Sequence, residues 1–361
     1  MTTSVDMAAA EKGGVIAEDV MRKLFNLDKV DRPFVDSIGS TTADSTEKEF
    51  TDKVLQAAVS NNTIYEKQDL TALDDTYLGL RYQNWCQHMA KVPYVSARGR
   101  AVETTYGTDE WLQQVMDLQK NLKKDEEAAA LSRNAATPEV AATSGSLMAG
   151  ACTWAIHNTQ RGAGAVDAVL DGATNAGGMP TTAPTAGTLR SMTETYLKNA
   201  LRGLYNDGAE VTHLMSTPDM IEKVSDYMFT SSARVATMQT TVSQGNRQGV
   251  EAGNGAQSGG ITAQGAVNMY VGNFGTITLT PNRQFHTYES AAGSAGDATE
   301  ILLFDSRYGS MAYLQNYRTT PLPTPSLGDQ AAVNVDCCFI PEATHAFTVI
   351  SDLNWDAAMT A

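Results

Sequence analysis

The 361-residue chain has no block of lysine and arginine. Its 26 basic residues are scattered among 41 acidic ones, which gives a net charge of −15. Proteins that bind nucleic acid or an anionic membrane present a basic patch, so we expect neither sequence-specific nucleic-acid binding nor membrane binding. The acidic balance suits a protein made in many copies, because copies of like charge resist nonspecific association.

Long hydrophobic runs are also missing. No stretch of 18 apolar residues occurs, and the N-terminal MTTSVDMAAAEKGG has no basic region followed by an apolar segment. We therefore expect neither a signal peptide nor a membrane-spanning helix. Hydrophobic residues still make up 42% of the chain, enough for a sizeable core in about two or three domains.

Cysteine is scarce, with residues only at Cys86, Cys152, Cys337 and Cys338. They are scattered, and the adjacent pair is poorly placed for an ordinary disulfide, so we expect a reducing compartment rather than a disulfide-stapled fold. Cys86 and His88 alternate along a predicted strand, a spacing that could begin a metal site. A structural role is favoured, because no second Cys or His pair lies within reach in the sequence.

Motifs for catalysis are lacking as well. Gly162-Ala163-Gly164 has no third glycine for a dinucleotide loop, and Gly253-Asn254-Gly255 follows no predicted strand. There is no P-loop, HExxH helix, EF-hand loop or nucleophile elbow. We predict no catalytic residue, no cofactor and no metal. Because triads assemble from distant residues, a soluble hydrolase or transferase with its site near residues 230–265 stays the alternative.

The dominant predicted element is a helix over residues 108–135. Its apolar residues recur at steps of four and three and form one stripe under a charged back. Thr108 is the predicted N-cap, and Thr137-Pro138 ends the helix. At a rise of about 1.5 Å per residue it would be roughly 40 Å long, so we interpret it as a spine, with a surface helix of an enzyme as the alternative. The predicted core of this helix is Trp111, Val115, Leu118 and Leu122.

The segment before residue 30 predicts a short amphipathic helix that has no apolar neighbour close in sequence. Its stripe must therefore dock far away in the chain or on another subunit. The residues of this stripe are Val15, Ile16, Val20, Leu24, Phe25 and Leu27.

Residues 47–58 and 77–97 are extended runs that flank a polar tip over residues 61–76. Long loops without secondary structure are uncommon in compact domains, so this pattern predicts a projecting hairpin, with two edge strands of an ordinary sheet as the alternative. Asp74 and Asp75 at the tip could bind a cation or be solvated, and solvation is favoured.

After the long helix, residues 144–158 predict a strand pair, or a strand and a turn, around Trp154. From residue 187 the pattern becomes compact α/β, with a helix over 189–204 that Gly208 is predicted to close as a left-handed cap. A second helix starts at Thr217-Pro218. Residues 230–265 predict a long loop. Two final strands over 331–355 are expected to return to the sheet that accompanies the long helix.

This order of parts resembles the Hong Kong 97-type fold of tailed-phage major capsid proteins. The likeness rests on GVIAEDVMRKLFNLDKVDRPFVDSIGS, on RYQNWCQHMAKVPYVSARGRAV before the spine, on the spine with its DEEAA end, and on VGNFGTITLTPNRQF and LFDSRYGSMAYL in the second lobe. It covers most of the chain. The resemblance implies an α+β fold with an N-terminal arm (1–46), an extended hairpin loop (47–106), a peripheral domain with the spine helix (107–186), an α/β axial domain (187–320) and a C-terminal return to the peripheral domain (321–361).

The resemblance also implies a function. The chain would be a structural protein of the virion, assembled in the bacterial host cytoplasm, whose hexamers and pentamers form the icosahedral head shell around double-stranded DNA. The arm stripe would clamp a neighbouring subunit, and the hairpin tip, with Tyr65, Asp74 and Asp75, would lie across the adjacent one. The expected partners besides further copies are a separate scaffolding protein, a portal and a possible decoration protein.

Overall fold

The computed structural model describes residues 30–53, 58–67, 79–102, 109–141, 143–172, 177–230, 269–291, 293, 296–323, 327–357 and 359. These residues fall into two compact units. The first contains Ala90–Leu122 and Arg318–Asn334, and the second contains Asp31–Met89, Lys123–Tyr317 and Val335–Ala361. Within the described ranges, no helix is both long enough and apolar enough to cross a membrane.

The described helices follow the local sequence signals closely where a cap is present. Thr193 caps the fifth helix by accepting a hydrogen bond from the Tyr196 amide, and Gly208 beyond its end has a φ of 91°, which confirms the predicted left-handed cap. The helices are α1 (Pro33–Ser37), α2 (Ala97–Ala101), α3 (Glu110–Ala130), α4 (Ala151–Trp154), α5 (Glu194–Asn206) and α6 (Pro218–Thr230).

The described strands form four sheets. The strands are β1 (Gly39–Thr42), β2 (Glu47–Asp52), β3 (Leu80–Trp85), β4 (Gln87–Lys91), β5 (Tyr94–Ser96), β6 (Val169–Leu170), β7 (Gly177–Gly178), β8 (Pro180–Thr182), β9 (His213–Ser216), β10 (Met269–Gly272), β11 (Gly275–Pro281), β12 (Ala298–Phe304), β13 (Gly309–Leu322), β14 (Gly328–Pro341) and β15 (Phe347–Asn354). The first sheet has the order β1-β13-β14-β4, with β5 also paired to β14. The other three have the orders β10-β11-β9-β12-β15, β2-β3-β7 and β6-β8.

The long helix is shorter than the sequence pattern suggests. It has 21 residues, about 32 Å at 1.5 Å per residue, and ends at Ala130, well before Thr137-Pro138. Asp109 caps its start, because its Oδ1 accepts a hydrogen bond from the Trp111 amide at 3.0 Å. The predicted cap, Thr108, lies outside the described residues. The chain leaves the helix at Leu131, which is fully buried and anchors the turn.

The α/β part of the second unit is built around the five-stranded sheet that includes β12. All seven residues of β12 are buried, and the strand pairs at both edges, with β9 and with β15. Helices α5 and α6 were both predicted, and the turn between β10 and β11 has Gly275 at a φ of 130°. Residues 231–268, which include most of the predicted loop, lie outside the described residues.

Three predictions are corrected by the structure. The segment around Trp154 is a single helical turn, α4, with Trp154 fully buried, rather than a strand pair. The run over 77–97 is divided into β3, β4 and β5, which belong to two different sheets. Of the two final strands, β14 joins the sheet of β13, whose side chains contact the long helix, but β15 pairs with β12 in the other large sheet. Long strands alone do not specify which sheet they enter.

Candidate functional site: the hairpin and the anchor of the N-terminal segment

The two extended runs of the predicted hairpin are paired at its base. Strands β2 and β3 pair antiparallel in continuous register from Glu47 opposite Trp85 to Asp52 opposite Leu80. Phe50 and Tyr82 stack across this pair with ring centroids 5.6 Å apart, and both rings contact Trp154. Aromatic cross-strand pairs of this kind stabilise a hairpin and fix its register.

Beyond this base, every residue of the described segment 58–67 is exposed. Three of them are large apolar residues: Val59 is 67% exposed, Ile64 66% and Tyr65 72%. Large apolar side chains exposed to this extent are candidates for contact with another molecule. Three residues were predicted to make contacts at the tip. Tyr65 is among the described residues, whereas Asp74 and Asp75 lie outside them.

The predicted arm stripe, from Val15 to Leu27, also lies outside the described residues. The structure does describe how the chain that follows it is held. Phe34 on α1 is fully buried, with its ring centroid 5.2 Å from that of Phe304 and 5.5 Å from that of Phe339. Strand β1 then pairs in parallel with β13. Residues 31–42 therefore form a fixed base for the N-terminal segment.

Glu127 on α3 holds this base in place. Its Oε1 accepts hydrogen bonds from the Phe34 amide at 2.7 Å and from Asn282 Nδ2 at 2.6 Å, and its Oε2 accepts one from the Val35 amide at 2.9 Å. The side chain is fully buried. Burial raises the pKa of Glu127 from 4.5 to about 7, against the opposing effect of the three donors.

Glu126, the adjacent residue, makes a second set of buried contacts. One of its oxygens accepts a hydrogen bond from Arg32 Nη1 at 2.8 Å, and the hydroxyls of Tyr313 and Tyr317 on β13 also donate to the carboxylate. Burial lowers the pKa of Arg32, but the negative charges of Glu126 and Asp36 outweigh this effect, so the net shift of the pKa is upward. Burial and the nearby Glu126 also raise the pKa of both tyrosines, so they remain neutral donors. The two glutamates thus join α3, α1 and β13.

The predicted core stripe of α3 is only partly buried in the subunit. Leu122 is fully buried, but Trp111, Val115 and Leu118 are half-buried. The residues of this helix that are completely enclosed lie in its C-terminal half, and Glu126 and Glu127 are among them. The sequence analysis named these two glutamates only as part of the DEEAA motif and missed their role.

The possible metal pair Cys86 and His88 does not converge. Cys86 is buried, whereas the His88 side chain is 53% exposed and its Nδ1 lies 3.6 Å from an oxygen of Asp336. Alternation along a strand places side chains on the same face, but here the chain changes strand at Cys86, between β3 and β4. The structural interpretation of this pair fits the contacts.

Solved structures with the same fold include a phage capsid and an encapsulin. The chain of Mycobacterium phage Bobi matches with a TM-score of 0.54 at 10% identity over 97% of this chain and 99% of that one. The capsid structure of cyanophage P-SCSP1u gives 0.52 at 12% over 96% and 94%. The holo-SrpI encapsulin complex of Synechococcus elongatus gives 0.52 at 11% over 99% of each chain. These likenesses define the class: the fold is the Hong Kong 97-type shell fold.

The family profile narrows this class. The profile described as SU10 major capsid protein matches residues 2–354, and the chain belongs to this family. No curated protein sequence matches the chain significantly. The protein is therefore a major capsid protein of tailed phages, a structural component of the virion that assembles with itself into the capsid. The alternative of a hydrolase or transferase with a site near residues 230–265 is not supported, because the family is structural and not enzymatic.

Proposed function

We propose that the chain forms hexamers and pentamers of a closed icosahedral shell that encloses a double-stranded DNA genome. The observation that carries this proposal is the exposed apolar segment of the hairpin, residues 58–67, in a chain of the SU10 major capsid protein family. A segment of this kind needs a neighbouring subunit to cover it. Modest contacts that repeat over many copies stabilise a closed assembly without any single tight interface.

The predicted division of the chain supplies the parts of this assembly. The arm stripe over residues 15–27 clamps a neighbouring subunit, the hairpin over 47–106 lies across the adjacent one, and the α/β domain over 187–320 meets its copies around the five-fold and six-fold axes. The firm base of the arm supports its role, because a clamp transmits force only if its root is fixed by contacts such as those of Glu127.

The same proposal includes further partners. A separate scaffolding protein guides assembly, a portal occupies one vertex, and a decoration protein is a possible addition. The net charge of −15 favours a wall that does not bind the packaged DNA tightly, because its acidic surface repels phosphates.

The hairpin gives the sharpest test. Ile64→Asp combined with Tyr65→Asp replaces two apolar contacts by charges, and burying each apolar side chain is worth about 1.5–3 kcal/mol. The matched control is Asn61→Asp with Asn62→Asp, which adds the same two charges to the same exposed segment. We expect the first variant to stay unassembled and the control to form particles, as measured by electron microscopy and light scattering. Closed particles from the first variant would contradict the role of the hairpin tip.

A further inference from the structure

Three residues from separate segments of the second unit converge on one buried point. Cys152 lies on α4, His286 follows β11, and Glu300 lies in the middle of β12. One Sγ, one imidazole nitrogen and one carboxylate oxygen from these residues all lie within 4.8 Å of one another. Cys152 and Glu300 are fully buried, and the His286 side chain is 22% exposed.

The polar atoms of this cluster lack satisfactory partners. His286 Nε2 approaches Glu300 Oε1 to 2.7 Å. Nevertheless, neither ring nitrogen and neither carboxylate oxygen makes a hydrogen bond of acceptable geometry with any described residue. A buried carboxylate whose contact is one poorly aligned imidazole is incompletely satisfied, and groups of this kind are found where an ion or ligand completes the site.

The backbone of β12 is irregular at this point. Its pairing with β15 shifts register between Thr299 and Ile301, which places Glu300 at a β-bulge. Bulges change the direction of a side chain and occur preferentially next to functional sites. The irregularity is therefore a second, independent feature that is concentrated on Glu300.

Two arginines, Arg133 and Arg161, act on the charge of Glu300. Arg161 forms an ion pair with Asp167, and the Arg133 guanidinium stacks on the Tyr288 ring, 3.8 Å from its centroid. Each arginine therefore has a partner outside the cluster.

Zinc binds a cysteine as its thiolate and a histidine through a neutral ring nitrogen, so the thiol proton of Cys152 is released to solvent when the metal binds.

We propose that Cys152, His286 and Glu300 bind one zinc ion that ties α4, the segment after β11 and strand β12 together. A thiolate, an imidazole and a carboxylate are the ligands zinc favours, whereas magnesium and calcium favour oxygen atoms alone. Tetrahedral zinc requires ligand atoms about 3.3–3.6 Å apart, so shifts of about 1 Å complete the site. Water takes the fourth position.

The test uses full-length protein without a histidine tag. Wild-type protein is stripped with a chelator, reloaded with zinc and desalted, and its metal content is measured by mass spectrometry. Cobalt is loaded in parallel, because a thiolate bound to cobalt gives a charge-transfer absorption band. The variants are Cys152→Ala and, as a second route if that variant folds poorly, His286→Asn. Cys338→Ala is the matched control, since Cys338 is equally buried and lies outside the cluster.

We expect about one zinc per chain and the cobalt band in the wild type and in Cys338→Ala, consistent with a structural zinc site. We expect a loss of at least about tenfold in retained zinc for Cys152→Ala and His286→Asn, because loss of even an outer-shell partner of a ligand typically costs about 10–100-fold in metal affinity. Wild-type protein that retains no zinc and gives no cobalt band would overturn the proposal and leave a buried ion pair. Equal bands in Cys152→Ala and the wild type would overturn the assignment of the ligands.

Discussion

Replacing Glu127 by glutamine should remove a pH dependence from the stability of the subunit. In the folded chain the buried carboxyl has a pKa of about 7, compared with 4.5 in the unfolded chain. Between these two values the folded chain keeps a proton that the unfolded chain releases. The contribution of this proton to the free energy of unfolding is therefore complete below pH 4.5 and is lost as the pH rises to about 7.

The size of the effect follows from the two pKa values. Their separation corresponds to roughly 3 kcal/mol, because one pKa unit is worth about 1.4 kcal/mol. Glutamine also places an NH₂ group against a donor: if its oxygen faces the Phe34 amide, its nitrogen faces the Val35 amide. This mismatch leaves a buried donor unpaired and costs about 1–3 kcal/mol at every pH.

The assay is urea unfolding of unassembled subunits at pH 4.5 and pH 7.5, with wild type, Glu127→Gln and the exposed-site control Glu139→Gln. The free energy of unfolding should fall by roughly 3 kcal/mol more in the wild type than in Glu127→Gln on going to the higher pH. Glu139→Gln should follow the wild type. If the wild type and Glu127→Gln had the same pH dependence, the three hydrogen bonds would outweigh burial at this site and the reasoning would be refuted.

Three further changes test other parts of the fold. Leu122→Ala should lower the free energy of unfolding by about 2–5 kcal/mol, because it opens a cavity. The control Leu112→Ala, at a residue that is 55% exposed, should change it little. Equal effects of the two changes in urea unfolding would refute the assigned core face. Asp352→Ala should lower the free energy of unfolding by at least about 3 kcal/mol, because the carboxylate accepts hydrogen bonds from two buried amides. The control is Asp356→Ala at an exposed residue. A loss under about 1 kcal/mol in urea unfolding would show that those amides find other partners. Deletion of residues 1–29 should block particle formation and leave the circular dichroism spectrum of a folded subunit, and closed particles in electron micrographs would exclude the clamping role.

Local signals in the sequence predicted the elements that depend on local interactions. Thr217-Pro218 starts α6 because a proline at the first helical position loses no hydrogen bond. Gly208 ends α5 because glycine adopts a positive φ without strain. The hairpin base was predictable from two extended runs that flank a polar tip. Two strands that follow each other along the chain and are joined by a single connection can pair antiparallel directly.

The anchor on α3 could not be assembled in this way, because its partners are distant in sequence. Glu126 meets Arg32 and Tyr317, and Glu127 meets Phe34 and Asn282. One signal did exist. Both glutamates lie within the last turn or so before Ala130, where the helix dipole disfavours negative charge, so their position indicated specific partners. That signal was not used in the sequence analysis.

The cluster of Cys152, His286 and Glu300 escaped the sequence analysis for the same reason. Metal motifs are recognised by short spacings, and these three residues come from three segments that meet only after the sheet containing β12 has formed. The helical turn at Trp154 was misjudged because four residues are too few to display a period of 3.6.

Electron microscopy of the purified wild-type protein, with its mass measured by light scattering, tests the central claim most directly. We expect rings, tubes or closed shells built from five-fold and six-fold groups of this chain. A uniform monomer or dimer, obtained both for the chain alone and after co-expression with a scaffolding protein, would contradict it.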